Sequence, residues 1–271
     1  MPSVALKNSA PGCRCVDVSS SDLLHEVAGS ETELRFFARF WEWERFVREN
    51  LPAVLEERLV TSLFQTLFRL SEGLVVPCGY EALARFPTGP RIPVGLWFRT
   101  AREAGLGSEL DKLAAGTAVE SCSLLPAERF LNVNASLGSA SEVVKEIAPH
   151  LGAPLVVDIP HSALWQKGCR ATFDALRSSA VAISLDDTPL DQLFDLRREI
   201  EVARPDYLKV DVLVGLFDSP MGRFNLAEGA AWCRDSGIVM IAERVEALED
   251  LEMLYELGVE MAQGYSLARP V

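Results

Sequence analysis

Short apolar runs alternate with amphipathic stretches through most of this chain. Helical periodicity appears near residues 53–62, 94–104, 108–122, 139–149, 163–178, 190–203, 220–236 and 246–257. Strand-like runs lie between them, near 63–69, 75–83, 129–134, 154–159, 181–186, 206–211, 237–242 and 259–263. Strands that alternate with helices predict a mainly parallel sheet of the α/β class. Roughly eight such units predict a TIM-type (β/α)8 barrel more than an open doubly wound sheet. The open sheet is the second choice, because no Gly-rich phosphate loop follows the first strand.

The N-terminal part reads differently. Residues 1–30 are polar and Ser-rich, and predict a partly disordered lead-in with one short helix near Ser21–Val27. A very aromatic helix is predicted near 31–49. It sets Leu34, Phe37, Trp41 and Glu44 on one face and Phe36, Phe40, Trp43 and Val47 on another. Asn50-Leu51-Pro52 is expected to end it. The helix has two readings: packing on the main domain, or an interface to a protein partner or a second copy, where large aromatics are enriched. The expected organisation is an N-terminal segment, 1–54, followed by a barrel domain, 55–271.

The apolar runs share a feature at their ends. Val181-Ala-Ile-Ser-Leu finishes in Asp186-Asp187. The runs Val76 to Glu81, Leu155 to Asp158, Tyr207 to Asp211 and Ile238 to Glu243 also deliver an acid at or near their C-terminal ends. An unpaired carboxylate is costly to bury, so such acids belong at strand mouths facing solvent, a cation or a substrate. In a (β/α)8 barrel those mouths build the active site.

Composition narrows the partners. The 271 residues carry a formal net charge of −13, which excludes a general binder of nucleic-acid polymers. A small phosphorylated ligand is compatible with that charge if metal ions or local arginines meet it. No apolar run approaches the roughly 20 residues of a membrane span, and the N-terminus lacks a signal-like apolar stretch, so the expected location is the cytoplasm. Cys78, Cys122, Cys169 and Cys233 read as small core residues, whereas Cys13 and Cys15 lack a second pair at zinc-site spacing.

The spelling around the acids is that of a known family. Tyr80-Glu81-Ala82-Leu83-Ala84-Arg85-Phe86 resembles the motif that names the EAL family of cyclic-di-GMP phosphodiesterases. Phe64-Gln65, Leu131-Asn-Val-Asn134-Ala-Ser136, Asp186-Asp187, Leu208-Lys209-Val210-Asp211, Ala242-Glu243-Arg-Val-Glu246 and Gln263-Gly264-Tyr265 resemble further motifs of that family, in the same order. The resemblance implies a TIM-type barrel with one strand reversed. It also implies two divalent ions, Mg²⁺ or Mn²⁺, and hydrolysis of cyclic di-GMP to linear pGpG. By that resemblance Glu81, Asn134, Asp158, Asp186 and Glu243 hold metal. Asp187 serves the second ion, Lys209 orients water or counters charge, and Glu246 supports the site. Gln65, Arg85 and Gln263 face the ligand, with Arg85 on a phosphate.

The chain departs from the family at four places. Asp158-Ile159-Pro160-His161 stands where the family has Glu-x-Thr-Glu. The shorter Asp158 withdraws its carboxylate by about 1.5 Å, so restoring Glu there is expected to raise turnover. His161 replaces the acid that anchors the loop after the paired aspartates, and is itself a possible ligand. That loop reads Thr188-Pro189-Leu190-Asp191-Gln192 where the family has Phe-Gly-Thr-Gly-Tyr. Arg244 occupies a position that is Gly in the family. The departures open a second expectation: a catalytically inactive domain that acts as a cyclic-di-GMP receptor or protein-binding regulator.

Overall fold

The computed structural model describes residues 31–86, 92–126, 129–212 and 216–271. The Cys13/Cys15 pair and the helix expected near Ser21–Val27 lie outside the described residues. Helix α1, Glu31–Glu56, is one continuous helix with Pro52 inside it. The expected stop at Asn50-Leu51-Pro52 is therefore corrected, and the separate helix expected near 53–62 is replaced by the end of α1 and the start of the first strand. The physical reason lies in the stripe Val47, Leu51 and Val54, each at most 1% exposed. These positions are i, i+4 and i+7 on one face. Burying each gives roughly 1.5–3 kcal/mol, which together outweighs the roughly 3 kcal/mol an interior proline costs. Contacts divide the chain between Phe46 and Val47, within α1. In the first unit Trp41 is exposed, and the guanidinium of Arg39 lies over the Trp43 ring.

The second unit, Val47–Val271, is the barrel. Its strands are β1 (Thr61–Ser71), β2 (Leu74–Arg85), β3 (Phe130–Asn134), β4 (Leu155–Pro160), β5 (Ala182–Thr188), β6 (Tyr207–Asp211), β7 (Val239–Glu243) and β8 (Met261–Ala262), closed in that order. Helices α2 (Val94–Glu103), α3 (Gly107–Ser121), α4 (Ala140–Ile147), α5 (Cys169–Ser178), α6 (Leu193–Ala203), α7 (Pro220–Asp235) and α8 (Asp250–Glu256) intervene. Strands covered on both faces bury nearly every residue, as β4 does from Leu155 to Ile159.

One strand runs against the rest. β1 pairs antiparallel with both β2 and β8, while each neighbouring pair from β2 to β8 is parallel. Glu72-Gly73 is the only connection between β1 and β2, and Gly73 sits at φ 66°, where a side chain would be strained. At the other end of β1, Phe64 exchanges both backbone hydrogen bonds with Val271, at 2.8 and 3.1 Å. The reversal matters for the site. Gln65, near the start of β1, pairs with Glu81 near the end of β2, so both lie toward the mouth formed by the C-terminal ends of β2–β8.

Among the described residues no helix is long and apolar enough to cross a membrane.

Candidate active site

Every second residue of a barrel strand faces inward, so a polar residue at the last inward position reaches the mouth. Glu81, Asp158, Lys209 and Gln263 are all buried there, at 6%, 0%, 0% and 3% exposure. Lys209, from β6, is the hub. Its Nζ lies 2.6 Å from Asp158 Oδ2, 3.0 Å from Glu243 Oε1, 3.2 Å from Glu81 Oε1 and 3.5 Å from Asp186 Oδ1. Strands β2, β4, β5 and β7 thus each send one carboxylate to a single ammonium. Around them, Gln263 Nε2 donates to Glu81 Oε2 at 2.7 Å and Asn134 Nδ2 to Glu81 Oε1 at 3.3 Å. Asn132 Nδ2 donates to Asp158 Oδ2 at 2.8 Å.

Burial and mutual charge set the titration of Lys209, Asp158 and Glu243. Burial alone would lower the Lys209 value, but Asp158, Asp186, Glu243 and Glu81 outweigh it and hold the ammonium well above its ordinary range. Burial pushes the Asp158 carboxyl up to about 7, with Lys209 pulling it down and Asp186 and Glu81 adding to the rise. Burial likewise raises Glu243 well above the usual carboxylate range, against the pull of Lys209. Asp187 is raised by burial first and then by its neighbours Asp186 and Asp211.

The oxygen atoms left over fit a hard divalent cation. Ligand oxygens of Glu81, Asp158 and Asp186 all lie within 4.8 Å of one another. Among the described residues, Asp158 Oδ1, Asn132 Oδ1 and Gln263 Oε1 are buried and find no hydrogen-bond partner. Buried acceptors without donors call for an electropositive partner. An all-oxygen set of this kind suits a hard divalent ion better than a soft metal. His161 is not in this group: it opens a 3-10 turn, His161–Trp165, with its ring edge-on to Trp165 at 6.0 Å.

A cavity of about 460 Å³ opens over the cluster. Gln65, Arg85, Asp187 and Glu246 line it together with Glu81, Asp186, Glu243 and Gln263. A second hollow of about 400 Å³ shares Glu81, Leu83, Arg85, Asp186 and Asp187 with it and extends to Asn134 and Ser136. The eleven residues given a site role by the resemblance therefore reach this mouth or the cluster beneath it, whereas His161 does not join the carboxylate group. Two of them point partly elsewhere: Gln65 Nε2 donates to Ala268 O at 3.0 Å, and Arg85 Nη1 to Ala84 O at 2.9 Å.

The segments expected from sequence to differ from the family pattern have defined local structures. After Asp187, at φ 51°, strand β5 continues to the buried Thr188. Pro189 then leads into the 3-10 turn Leu190–Gln192 and directly into α6. Arg244 sits at φ 58°, a left-handed conformation in which glycine is at ease and arginine is strained. It lines the cavity, and its Nε lies 3.1 Å from Asp211 Oδ1.

Two supporting groups escaped the sequence reading. Asn132 was visible only as a polar residue two places before Asn134, the strand period that puts both on one face. Asp111 of α3, buried at 3%, accepts from Ser136 N at 3.0 Å and Ser136 Oγ at 2.7 Å, fixing the turn after β3. A lone acid in a helix gives no such signal in sequence.

No curated protein matches the chain. Among solved structures, an EAL domain protein from Listeria monocytogenes superposes with a TM-score of 0.68 at 18% identity, covering 95% of each chain. PaMucR phosphodiesterase, in a c-di-GMP complex, gives 0.67 at 21% identity over 83% of this chain and 97% of that one. Bacillus subtilis YkuI, with an EAL domain in complex with substrate c-di-GMP and calcium, gives 0.63 at 21% identity over 80% of this chain and 56% of that one. These likenesses show a shared fold. The EAL domain family matches residues 48–270, and the chain belongs to that family.

Proposed function

We propose that the barrel mouth binds cyclic di-GMP in the cytoplasm and hydrolyses one of its phosphodiesters to linear pGpG at a low rate. One observation carries this reading: three carboxylates with oxygens within 4.8 Å of one another, beneath a cavity that also presents Arg85. Glu81, Asn134, Asp158, Asp186 and Glu243 would hold Mg²⁺ or Mn²⁺, with Asp187 serving a second ion. Such ions supply polarisation of the phosphoryl group and a more acidic water. Lys209 holds a fixed positive charge in a buried site, where it counters charge that develops on the phosphoryl oxygens. Gln263 and Asn134 hold the Glu81 carboxylate from its two sides, so it enters the reaction already oriented. Arg85 at the cavity wall meets a ligand phosphate, and Glu246 supports the rim.

A receptor without turnover is the second reading. The ion pairs of Lys209 favour it, because the ammonium already compensates four carboxylates. The short path from Asp187 through Pro189 into α6 favours it too. Incubation of the protein with cyclic di-GMP and Mg²⁺, Mn²⁺ or chelator, followed by chromatography and calorimetric titration, separates the two. Linear product supports the phosphodiesterase, and binding without product supports the receptor. Neither binding nor product removes both.

A further inference from the structure

We infer that Asn132 is a positioning residue matched to the shortened ligand Asp158, and that the two act as a pair in metal binding. This inference rests on the metal-site reading above. Both side chains are sealed from solvent, at 1% and 0% exposure. They come from adjacent strands, with Asn134 beside Asp158 in register and Asn132 one inward position deeper. In its ionised, metal-binding form the carboxylate only accepts hydrogen bonds, so the amide nitrogen of Asn132 must face it. The contact falls on Oδ2, at 2.8 Å, the same oxygen that Lys209 holds at 2.6 Å. Oδ1 is left buried and without a partner. Two donors on one oxygen fix the plane of the carboxylate and reserve the other oxygen for a cation. Partners of this kind typically change metal affinity 10- to 100-fold.

The pairing also reverses an expectation drawn from sequence. Asp158→Glu alone would advance the carboxylate by about 1.5 Å into an ammonium and an amide already at contact distance. Replacing the acid by itself therefore does not restore a longer ligand. Shortening Asn132 makes the room that a glutamate at this position needs.

The experiment is a Mn²⁺ titration of the full chain followed by electron paramagnetic resonance, on wild type, Asn132→Ala, Asn132→Ser, Asp158→Glu and Asn132→Ala/Asp158→Glu. Thermal unfolding in chelator runs alongside it. Asn132→Ala and Asn132→Ser should weaken Mn²⁺ binding about 10- to 100-fold. Asp158→Glu alone should bind no more tightly than wild type. The double variant should bind more tightly than either of its single parents. A purely structural role would move the melting temperature and leave this reciprocal rescue absent, which overturns the pairing. Unchanged Mn²⁺ affinity in both Asn132 variants, or tighter binding by Asp158→Glu alone, also overturns it while leaving the metal site standing. Wild type that binds no Mn²⁺ overturns the metal-site reading itself, and the pairing with it.

Discussion

The ammonium of Lys209 lies 2.6 Å from Asp158 Oδ2, and neither side chain reaches solvent. A buried charge pair of this kind is hard to break from one side, because the partner is left uncompensated. Among the described residues, Lys209→Met removes the cation that pairs with four buried or half-buried carboxylates. In chelator it should destabilise the fold by about 3–5 kcal/mol, read as a lower urea midpoint. Added Mn²⁺ should stabilise the variant more than wild type, since the ion then supplies the missing charge. An unchanged midpoint in chelator would show that Lys209 does not neutralise this cluster.

The Asp158 value of about 7, against 3.8 ordinarily, gives the metal-free protein a pH dependence. Folded Asp158 holds a proton that the unfolded chain has released between those two values. The unfolded state binds fewer protons there, so this group's contribution to stability falls as pH rises through about 4 to 7. Lys209 does not offset this, because it stays charged in both states across that window. Unfolding in chelator should therefore show a decline from pH 5 to pH 7 that is shallower in Asp158→Asn, with the remainder carried by Glu243 and Asp187, which burial also raises. A slope that is the same in the variant would assign the effect to other groups.

Arg244, at φ 58°, is held in a conformation that costs a non-glycine residue roughly 1–2 kcal/mol. Arg244→Gly and Arg244→Ala both lose the half-exposed pair with Asp211, and differ in backbone freedom. The glycine variant should be the more stable of the two by about 1 kcal/mol. Equal stabilities in chemical denaturation would mean that the strain is absent.

Gly264 has no such freedom to exploit, since its constraint is space. A methyl group there would collide with the carbonyl oxygen and the amide nitrogen of Val245, which are backbone atoms and cannot swing aside. Val245 N also donates to Gln263 O at 3.1 Å. Gly264→Ala should therefore destabilise the protein by more than about 2 kcal/mol and displace Gln263 from Glu81. Denaturation of the variant measures the first effect, and loss of ligand affinity the second.

Much of this was legible in the chain. The apolar runs from 129 to 263 marked six strands, because strands buried on both faces spell themselves as continuous aliphatic residues. The acids at their ends marked the mouth, because a carboxylate ends a buried run only where something meets its charge. Three things were not legible. Pro52 signals a helix end locally, and only the tertiary burial of Val47, Leu51 and Val54 overrides it. The convergence of four acids on Lys209 depends on strand register, which no single run contains. Asn132 looked like an ordinary strand residue until its neighbour across the sheet was known to be Asp158's strand.

The measurement closest to the central claim is turnover of cyclic di-GMP in Mn²⁺ by wild type and Glu81→Gln side by side, each checked for an unchanged melting profile. Glu81 accepts from Asn134, Gln263 and Lys209, and its amide variant keeps the shape while removing the charge. The expected result is linear pGpG from wild type, abolished by chelator, and at least about 100-fold less from the variant. No product from wild type in Mn²⁺, or equal product from both proteins, would contradict catalysis at this mouth.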